Sequence, residues 1–155
     1  MDDHISSDYQ TDFYIWLNNQ IALLRAKNFE QIDLSNLIDE LEGMASEQRH
    51  ELKHRLEQLM MHLLKCPLQP RLISRSWLGT IHEQRLRIND LLEEMPSLEH
   101  LLDEYLERSY ANAIRGAAIE TGLPRTVFPV TPPFTKQQLL DLDYWPAEND
   151  KAADP

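Results

Sequence analysis

Residues 59–77, LMMHLLKCPLQPRLISRSW, hold the features that decide the fold. Their first part is apolar with helical spacing, and two prolines, Pro67 and Pro70, then interrupt the chain. Pro67 cannot continue the hydrogen-bond ladder of a helix, whereas Pro70 suits the first turn of the next one. The stretch therefore predicts two long helices joined by a tight reversal, which together form an antiparallel helical hairpin.

The rest of the chain has the same periodicity. Apolar residues recur at spacings of three and four between Thr11 and Gly122, and no segment sustains the alternation of polar and apolar residues that marks a strand. We therefore predict an all-α fold, a helical bundle built on the hairpin and followed by a Pro-rich C-terminal strap. Residues 1–146 are predicted to form a single helical domain and residues 147–155 a disordered acidic tail.

Residues that favour helix ends set the expected limits of the helices. Thr11 or Asp12 can cap the first, which reaches about Lys27, and Asp33 can cap the second, which reaches about Cys66. The remaining limits are Pro70 and Met95 for the third helix, Ser97 and Gly122 for the fourth, and Thr135 and Leu142 for a short last helix.

Two apolar faces are expected to lie in the core. The face on the first helix consists of Phe13, Trp16, Leu17, Ile21 and Leu24. The face on the second helix, which we call the seam, consists of Leu34, Ile38, Leu41, Ala45, Leu52, Leu56, Leu59 and Leu63, with Gln48 as a polar break. Gly43 and the polar residues 46–49 predict a bend or a second helix start within this element.

Charge is distributed unevenly along the chain. The net charge is −11, yet residues 48–87 carry eight Lys/Arg against three Asp/Glu, while all other positions carry seven against twenty-three. A net negative charge disfavours nucleic acid, because that binding is driven by the release of counterions when Lys and Arg neutralise phosphates. The basic centre between two acidic flanks instead indicates complementary protein surfaces.

Other features indicate the compartment. A single cysteine fits a reducing environment, and the acidic start MDDHISSDY is neither a signal peptide nor a transit peptide. No apolar run approaches the roughly 18 residues that a membrane span requires. We expect a soluble, cytoplasmic protein that has no membrane partner.

The apolar end of the second helix carries two candidate catalytic residues, His62 and Lys65. Leu and Met residues surround His62, so we expect it to be largely buried and bonded to the arginine, serine or tryptophan side chains of residues 71–77. A structural polar cluster is favoured over a functional site. Cys66 lies four residues after His62, but apolar surroundings raise a thiol pKa, so a buried structural cysteine is favoured over a nucleophile.

An arginine-rich segment is the expected ligand or partner surface. It contains Arg71, Arg75, Trp77 and Arg85, with Arg87 beside them. A phosphate ligand is one interpretation, because basic grooves with stacking aromatic residues bind nucleic acid strands. Ion pairing within the chain or between copies is favoured, because the flanks offer many acidic partners. Examples of such partners are Glu40, Glu42, Glu93 and Glu94.

No metal and no cofactor is predicted. His50 and His54 have the i, i+4 spacing that can place two imidazoles on one zinc ion, but the sequence offers no convincing third ligand. Aromatic residues near both ends of the chain, such as Trp16 and Trp145, are interpreted as core residues rather than as part of a cofactor site.

Five ordered motifs carry a resemblance to a known family. They are TDFYIWLNNQIALLRAKNFEQIDLSNLIDELEGM at residues 11–44, HLLK at 62–65, QPRLISRSW at 69–77, ETGLP at 120–124 and YWP at 144–146. Together they resemble the domain-of-unknown-function family twenty-nine over residues 8–146. The resemblance implies a bacterial, soluble, all-helical protein without an established activity, and it provides no catalytic residues. Where that family usually has an aromatic residue after HLLK, this chain has Cys66.

Two functions from different classes follow. The favoured one is a non-enzymatic protein-interaction module with an unknown protein partner, for which self-association into a homo-oligomer is an open alternative. The other is a hydrolase or nuclease-like enzyme that acts on a phosphate-containing ligand through His62, Lys65 and nearby arginines. An anion at the Pro70 turn or an open pocket at His62 would favour the enzyme, and a filled helical interface would favour the module.

Overall fold

The computed structural model describes residues 8–146, and every regular element in that range is helical. Residues 8–11 are helical. The α-helices that follow are α1 (Phe13–Arg25), α2 (Leu34–Lys65), α3 (Arg75–Glu94), α4 (Leu101–Thr121) and α5 (Lys136–Leu140). Short 3-10 segments occur at Phe29–Gln31, Pro70–Leu72, Pro96–His100 and Arg125–Val127. The predicted all-α class is confirmed, whereas the predicted tail, residues 147–155, lies outside the described residues.

The chain divides into two compact units, one up to Gln48 and one from Arg49 onward. The sequence predicted a single helical domain over residues 1–146. Helix α2 passes through the division without a break, including Gly43, so the predicted second helix start is wrong. An isolated glycine costs a helix only about 1 kcal/mol, which the flanking hydrogen bonds of a 32-residue helix can outweigh.

In the N-terminal unit, α1 begins at the predicted cap. The Asp12 carboxylate accepts the backbone N–H of Ile15 at 3.1 Å. The helix ends where Lys27 adopts a left-handed conformation with φ of 56°, which lets the Asn28 N–H reach back to the Leu23 carbonyl at 2.9 Å. Both ends of α1 are therefore closed by local hydrogen bonds.

The predicted core face of α1 is mostly wrong. Trp16 is fully buried, but Phe13, Ile21 and Leu24 are 45%, 37% and 41% exposed. The two buried residues of α1, Trp16 and Gln20, both bond to Asp33, the residue before α2, so the buried part of α1 is narrow. The wider apolar face that the spacing defined has no cover within this unit.

In the C-terminal unit, the seam residues of α2 lie in a continuous apolar core. Leu52, Leu56, Leu59 and Leu63 are at most 1% exposed. They pack with apolar residues of the later elements, among them Ile81, Ile88, Leu102, Tyr110, Ala113, Ala117, Phe128, Phe134 and Leu139. No helix in the described range is both long and apolar enough to cross a membrane.

Contacts between α2 and α3 pair residues in opposite chain order. Arg55 donates to the Gln84 side chain at 3.2 Å, and further along α2 the His62 ring lies 6.0 Å from the ring of Trp77, nearer the start of α3. The two helices therefore run antiparallel over this stretch.

The later helix limits match the sequence in part. Thr135 caps α5 with a reciprocal capping box to Gln138, and Gly122 ends α4 with φ of 69°. Ser97 does not cap α4, because residues 96–100 form a 3-10 segment before that helix begins. Likewise Pro70 opens a 3-10 turn, and α3 begins after Ser74, whose hydroxyl accepts the Trp77 N–H at 3.1 Å.

Candidate functional site

His62, Lys65, Cys66 and Trp77 form a group that we call the elbow cluster, at the reversal between α2 and α3. The backbone N–H groups of Leu68 and Gln69 both donate to the Lys65 carbonyl, at 3.1 and 2.9 Å, and close the end of α2. The chain then returns, and the Trp77 ring meets the His62 ring edge to face at 83°. Residues at the end of α2 and near the start of α3 thus form one polar cluster in an apolar setting.

His62 is partly buried and already has a hydrogen-bond partner. Its Nδ1 lies 2.8 Å from the Gln58 carbonyl oxygen one turn earlier, so Nδ1 carries the proton and donates. Burial lowers the pKa of His62, and the effect of the Gln58 carbonyl in the other direction is smaller. The ring is therefore neutral at pH 7. Of the partners expected from residues 71–77, Trp77 contacts His62, and it does so through its ring. The hydrogen bond of Nδ1 is made instead with Gln58 of the same helix.

Lys65 is 5% exposed, and its charge is neutralised inside the chain. Its Nζ forms an ion pair with the Glu120 carboxylate near the end of α4 and lies 4.3 Å from the centre of the Trp77 ring. The anionic and aromatic neighbours both offset the cost of taking this ammonium out of water. This amine has little capacity left for a phosphate.

Cys66 is buried, as predicted from its apolar neighbours. Its thiol donates to the His62 carbonyl at 3.2 Å rather than to the imidazole. Burial raises the pKa of Cys66 to about 11, which outweighs the lowering by Lys65 and by the Trp77 side chain. At pH 7 the group is a protonated thiol without a base, and a thiol in that state is a poor nucleophile.

The predicted arginine surface does not stay together. Arg71 and Arg75 are exposed near the start of α3, and Arg87 is exposed near its end. None of these three forms an ion pair within the described part of the C-terminal unit, so the expected internal pairing is not seen for them there. Trp77 is partly buried in the elbow cluster.

Arg85 is 1% exposed and does not belong to an exposed surface, which corrects its predicted place. Its Nε donates to the Leu139 carbonyl at 3.0 Å, and one terminal nitrogen lies 3.4 Å from the Gln138 carbonyl. Asn89 adds a bond to the Leu140 carbonyl at 3.1 Å. Arg85 therefore neutralises the carbonyl groups that α5 leaves unpaired at its C-terminal end.

The histidine pair considered for zinc lies on an exposed part of α2. His50 and His54 are both exposed, and among residues 8–146 no three histidine, cysteine or acidic side chains are grouped closely enough to hold a metal ion. A pocket of about 290 Å³ in the C-terminal unit is lined by Leu64, Pro67, Phe134 and Tyr144 among others, and His62 does not line it.

The sequence predicted that the whole seam lies in the core, which is wrong for its first half, because that half is exposed. Leu34, Ile38 and Leu41 are 62%, 45% and 57% exposed, and Ala45 is exposed with them. We call these four residues the apolar stripe. Each lies 18 residues, or five turns of an ideal helix, before a buried seam residue of α2, at Leu52, Leu56, Leu59 and Leu63 respectively.

Contacts with α1 use a different side of α2 from the apolar stripe. Asp33 accepts the Trp16 indole N–H at 3.0 Å, and Glu40 accepts the Tyr9 hydroxyl at 2.6 Å. Tyr9 precedes α1 in the chain, and at 100° per residue positions 33 and 40 lie about a third of a turn away from the centre of the apolar stripe. Helix α1 therefore leaves the stripe uncovered.

The surroundings of the apolar stripe are acidic. Asp39 and Glu42 are exposed and lie between and beside the stripe residues in the sequence. Over residues 8–48 the chain has eight Asp/Glu against two Lys/Arg, a net charge of −6. Exposed apolar residues in line with a helix axis and bordered by charge mark interaction surfaces.

The similarity of the chain to known proteins lies at the level of a family. No curated protein matches the chain, and no solved structure matches it. A family model does match, over residues 9–145, which is nearly the whole described range. The chain therefore belongs to the family described as domain of unknown function DUF29.

Proposed function

We propose that this chain is a non-enzymatic protein-interaction module that binds its partner through the apolar stripe. The observation that carries the proposal is the contrast along α2, where the same seam is at most 1% exposed from Leu52 to Leu63 and about half exposed from Leu34 to Leu41. Covering a regular, contiguous and exposed apolar surface with another molecule lowers the free energy.

The enzyme alternative has less support at its own residues. His62 is neutral and bonded to Gln58, and Lys65 is bound by Glu120 and Trp77. A phosphate-binding site needs accessible positive groups that converge on one point. The unprotonated Nε2 of His62 could act as a base, but Lys65 is paired with Glu120, and His62 does not line the pocket of the C-terminal unit.

The test is affinity purification from the protein's own host with three baits. These are the wild type, Leu41→Ser, and the matched control Ile119→Ser, which changes a 76% exposed isoleucine on α4. We expect a protein that is recovered with the wild type and the control but lost with Leu41→Ser, and that binds the purified wild type directly. Equal recovery on all three baits would contradict the proposal.

Self-association is measured separately, by sedimentation of the purified chain over a range of concentrations. If a dimer forms and Leu41→Ser abolishes it, the partner is a second copy of the chain. If the wild type stays monomeric and no direct partner depends on Leu41, the interaction proposal loses its basis.

A further inference from the structure

We infer that the apolar stripe receives an amphipathic helix with basic flanks, supplied by a partner protein. The inference rests on the proposed function and adds the chemistry of the partner. It follows from two properties of α2: the spacing of the stripe and the charge around it.

The spacing of the apolar stripe selects a helical partner. Leu34, Ile38, Leu41 and Ala45 follow one another at intervals of four, three and four residues. This is the pattern with which one helix receives the apolar side chains of another in coiled-coil packing. In the C-terminal unit, the same α2 pattern is already covered, with α3 running antiparallel to it.

The charge beside the apolar stripe selects a basic partner. At 100° per residue, exposed Glu42 borders the stripe at about 70° from its centre, whereas exposed Asp39 lies about 130° away; the described N-terminal unit has a net charge of −6. Residues beside an apolar seam decide which helix pairs with it, because opposite charges attract across the interface and like charges repel. Lysine or arginine at the flanking positions of the partner would pair with Glu42 and would be attracted by the net negative charge of the unit.

The same charge disfavours two other occupants. A second copy bound through its own apolar stripe would bring together two units that each carry a net charge of −6 over residues 8–48. An anionic membrane would also repel the acidic unit, since polybasic segments are what such surfaces attract. A basic helix is the occupant that both the apolar and the charged groups favour.

The probe is a labelled synthetic peptide of about three heptads, with leucine at the a and d positions, lysine at e and g, and alanine or glutamine elsewhere. Its twin has glutamate in place of every lysine. Binding is followed by fluorescence anisotropy with the full chain at low salt and at about 0.15 M salt.

We expect the basic peptide to bind the wild type at least about tenfold more tightly than the acidic twin, and more weakly as salt rises. Leu41→Ser should weaken the basic peptide at least about tenfold, whereas the matched control Ile119→Ser should leave its affinity unchanged. Glu42→Lys, at the border of the stripe, should reduce the preference for the basic peptide, and Asp39→Lys, about 130° from the stripe centre, should reduce it less. All four positions are exposed, and circular dichroism checks that each variant keeps the helical fold.

Other outcomes separate the inference from the proposed function. Equal binding of the two peptides, weakened by Leu41→Ser, overturns the basic partner but retains the module. Failure of both peptides, with a wild-type dimer that Leu41→Ser dissociates, identifies a second copy as the occupant. Binding to neutral phosphatidylcholine vesicles that depends on Leu41 identifies a lipid surface and overturns both proposals. Failure of every probe overturns the inference, and the host purification then decides the proposed function alone.

Discussion

Trp77 joins the two ends of the elbow cluster, because its ring contacts both the buried ammonium of Lys65 and the edge of His62. The indole N–H of Trp77 has no hydrogen-bond acceptor of good geometry, although it lies close enough to the Cys66 sulfur to lower the pKa of that thiol. The ring therefore acts mainly through packing and through its attraction for the Lys65 charge. Removing it should damage the fold more than removing any single polar member of the cluster.

His62→Ala and Trp77→Ala should both lower the free energy of unfolding. We expect about 1 kcal/mol for His62, which loses one hydrogen bond, and about 3 kcal/mol for Trp77, at the low end for tryptophan because the ring is partly exposed. Thermal and denaturant unfolding of each variant measure the difference. A His62→Ala protein as stable as the wild type, beside a damaged Trp77→Ala protein, would favour a functional His62, because functional residues are often held at a cost to stability.

Asp33 gives the N-terminal unit a dependence on pH. Partial burial would raise the pKa of this carboxyl, but hydrogen bonds from Asn36 and from the Trp16 indole outweigh burial and lower the pKa. A carboxyl whose pKa is lower when folded contributes stability above its unfolded pKa and loses it as pH falls through the folded pKa.

We therefore expect the folding of this unit to weaken as pH falls below about 4, the ordinary pKa of an aspartate, with a smaller change in Asp33→Asn. Fluorescence of Trp16, in a chain with Trp77→Phe and Trp145→Phe, reports the unit separately. The control is Asn36→Ala, which removes one donor to Asp33 and should shift the loss to higher pH. An Asp33→Asn curve with the full wild-type pH dependence would show that another group is responsible.

Among the elements, α2 and α4 contain glycines with opposite surroundings. A Cβ added at Gly43 meets nothing within 4 Å, whereas one added at Gly116 lies 2.7 Å from the sulfur of Met61, which is 7% exposed. Alanine suits a helix interior better than glycine by about 1 kcal/mol. Crowding a packed core costs about 1–3 kcal/mol.

Gly43→Ala should therefore raise the free energy of unfolding by about 0.5–1 kcal/mol, and Gly116→Ala should give no gain or a loss. Gly79→Ala, which also meets nothing within 4 Å, serves as a second open position and should behave like Gly43→Ala. Urea unfolding of the three variants beside the wild type is sufficient. A gain at Gly116 equal to that at Gly43 would mean that Met61 moves away without cost.

Helix ends were predictable where the capping group is close in sequence. Asp12, Asp33 and Thr135 each accept a backbone N–H three residues later, a geometry that a short motif contains in full. Ser97 was not, because the chain takes a 3-10 path through residues 96–100 before α4 begins. A side-chain cap from Ser97 and the backbone bonds of a 3-10 turn compete at residues 96–100, and the sequence alone does not show which of them forms.

The candidate sites depended on distant parts of the chain and were predicted less well. The sequence placed the seam on one helix face correctly, but periodicity cannot say whether a neighbour covers that face at Leu41 as it does at Leu59. Arg85 looked like a surface residue because its acceptors, the carbonyls of Gln138 and Leu139, come more than 50 residues later. The ion pair of Lys65 with Glu120 is equally remote.

At the scale of the whole molecule, charge predicts how the chain behaves toward nucleic acid. The exposed arginines Arg71, Arg75 and Arg87 belong to a chain with net charge −11. Binding to duplex DNA should be weak at low salt and lost at about 0.15 M salt, because few phosphates are neutralised. A gel-shift titration at both salt concentrations measures this. Tight binding at the higher salt, weakened by Arg75→Ala, would show that the local basic surface outweighs the net charge.

The small core of the N-terminal unit has a consequence for its motions. Among its described residues only Trp16 and Gln20 are buried, so local opening exposes little additional apolar surface and requires little free energy. Amide protons of α1 should therefore exchange with deuterium in solvent far sooner than those of α4, which carries five buried residues. A ligand that binds only the closed form slows this exchange in proportion to its concentration over its Kd. A ligand that covers the apolar stripe and also contacts α1 would thus be recorded as slower exchange at the Trp16 amide, whereas one that contacts the stripe alone would leave it unchanged.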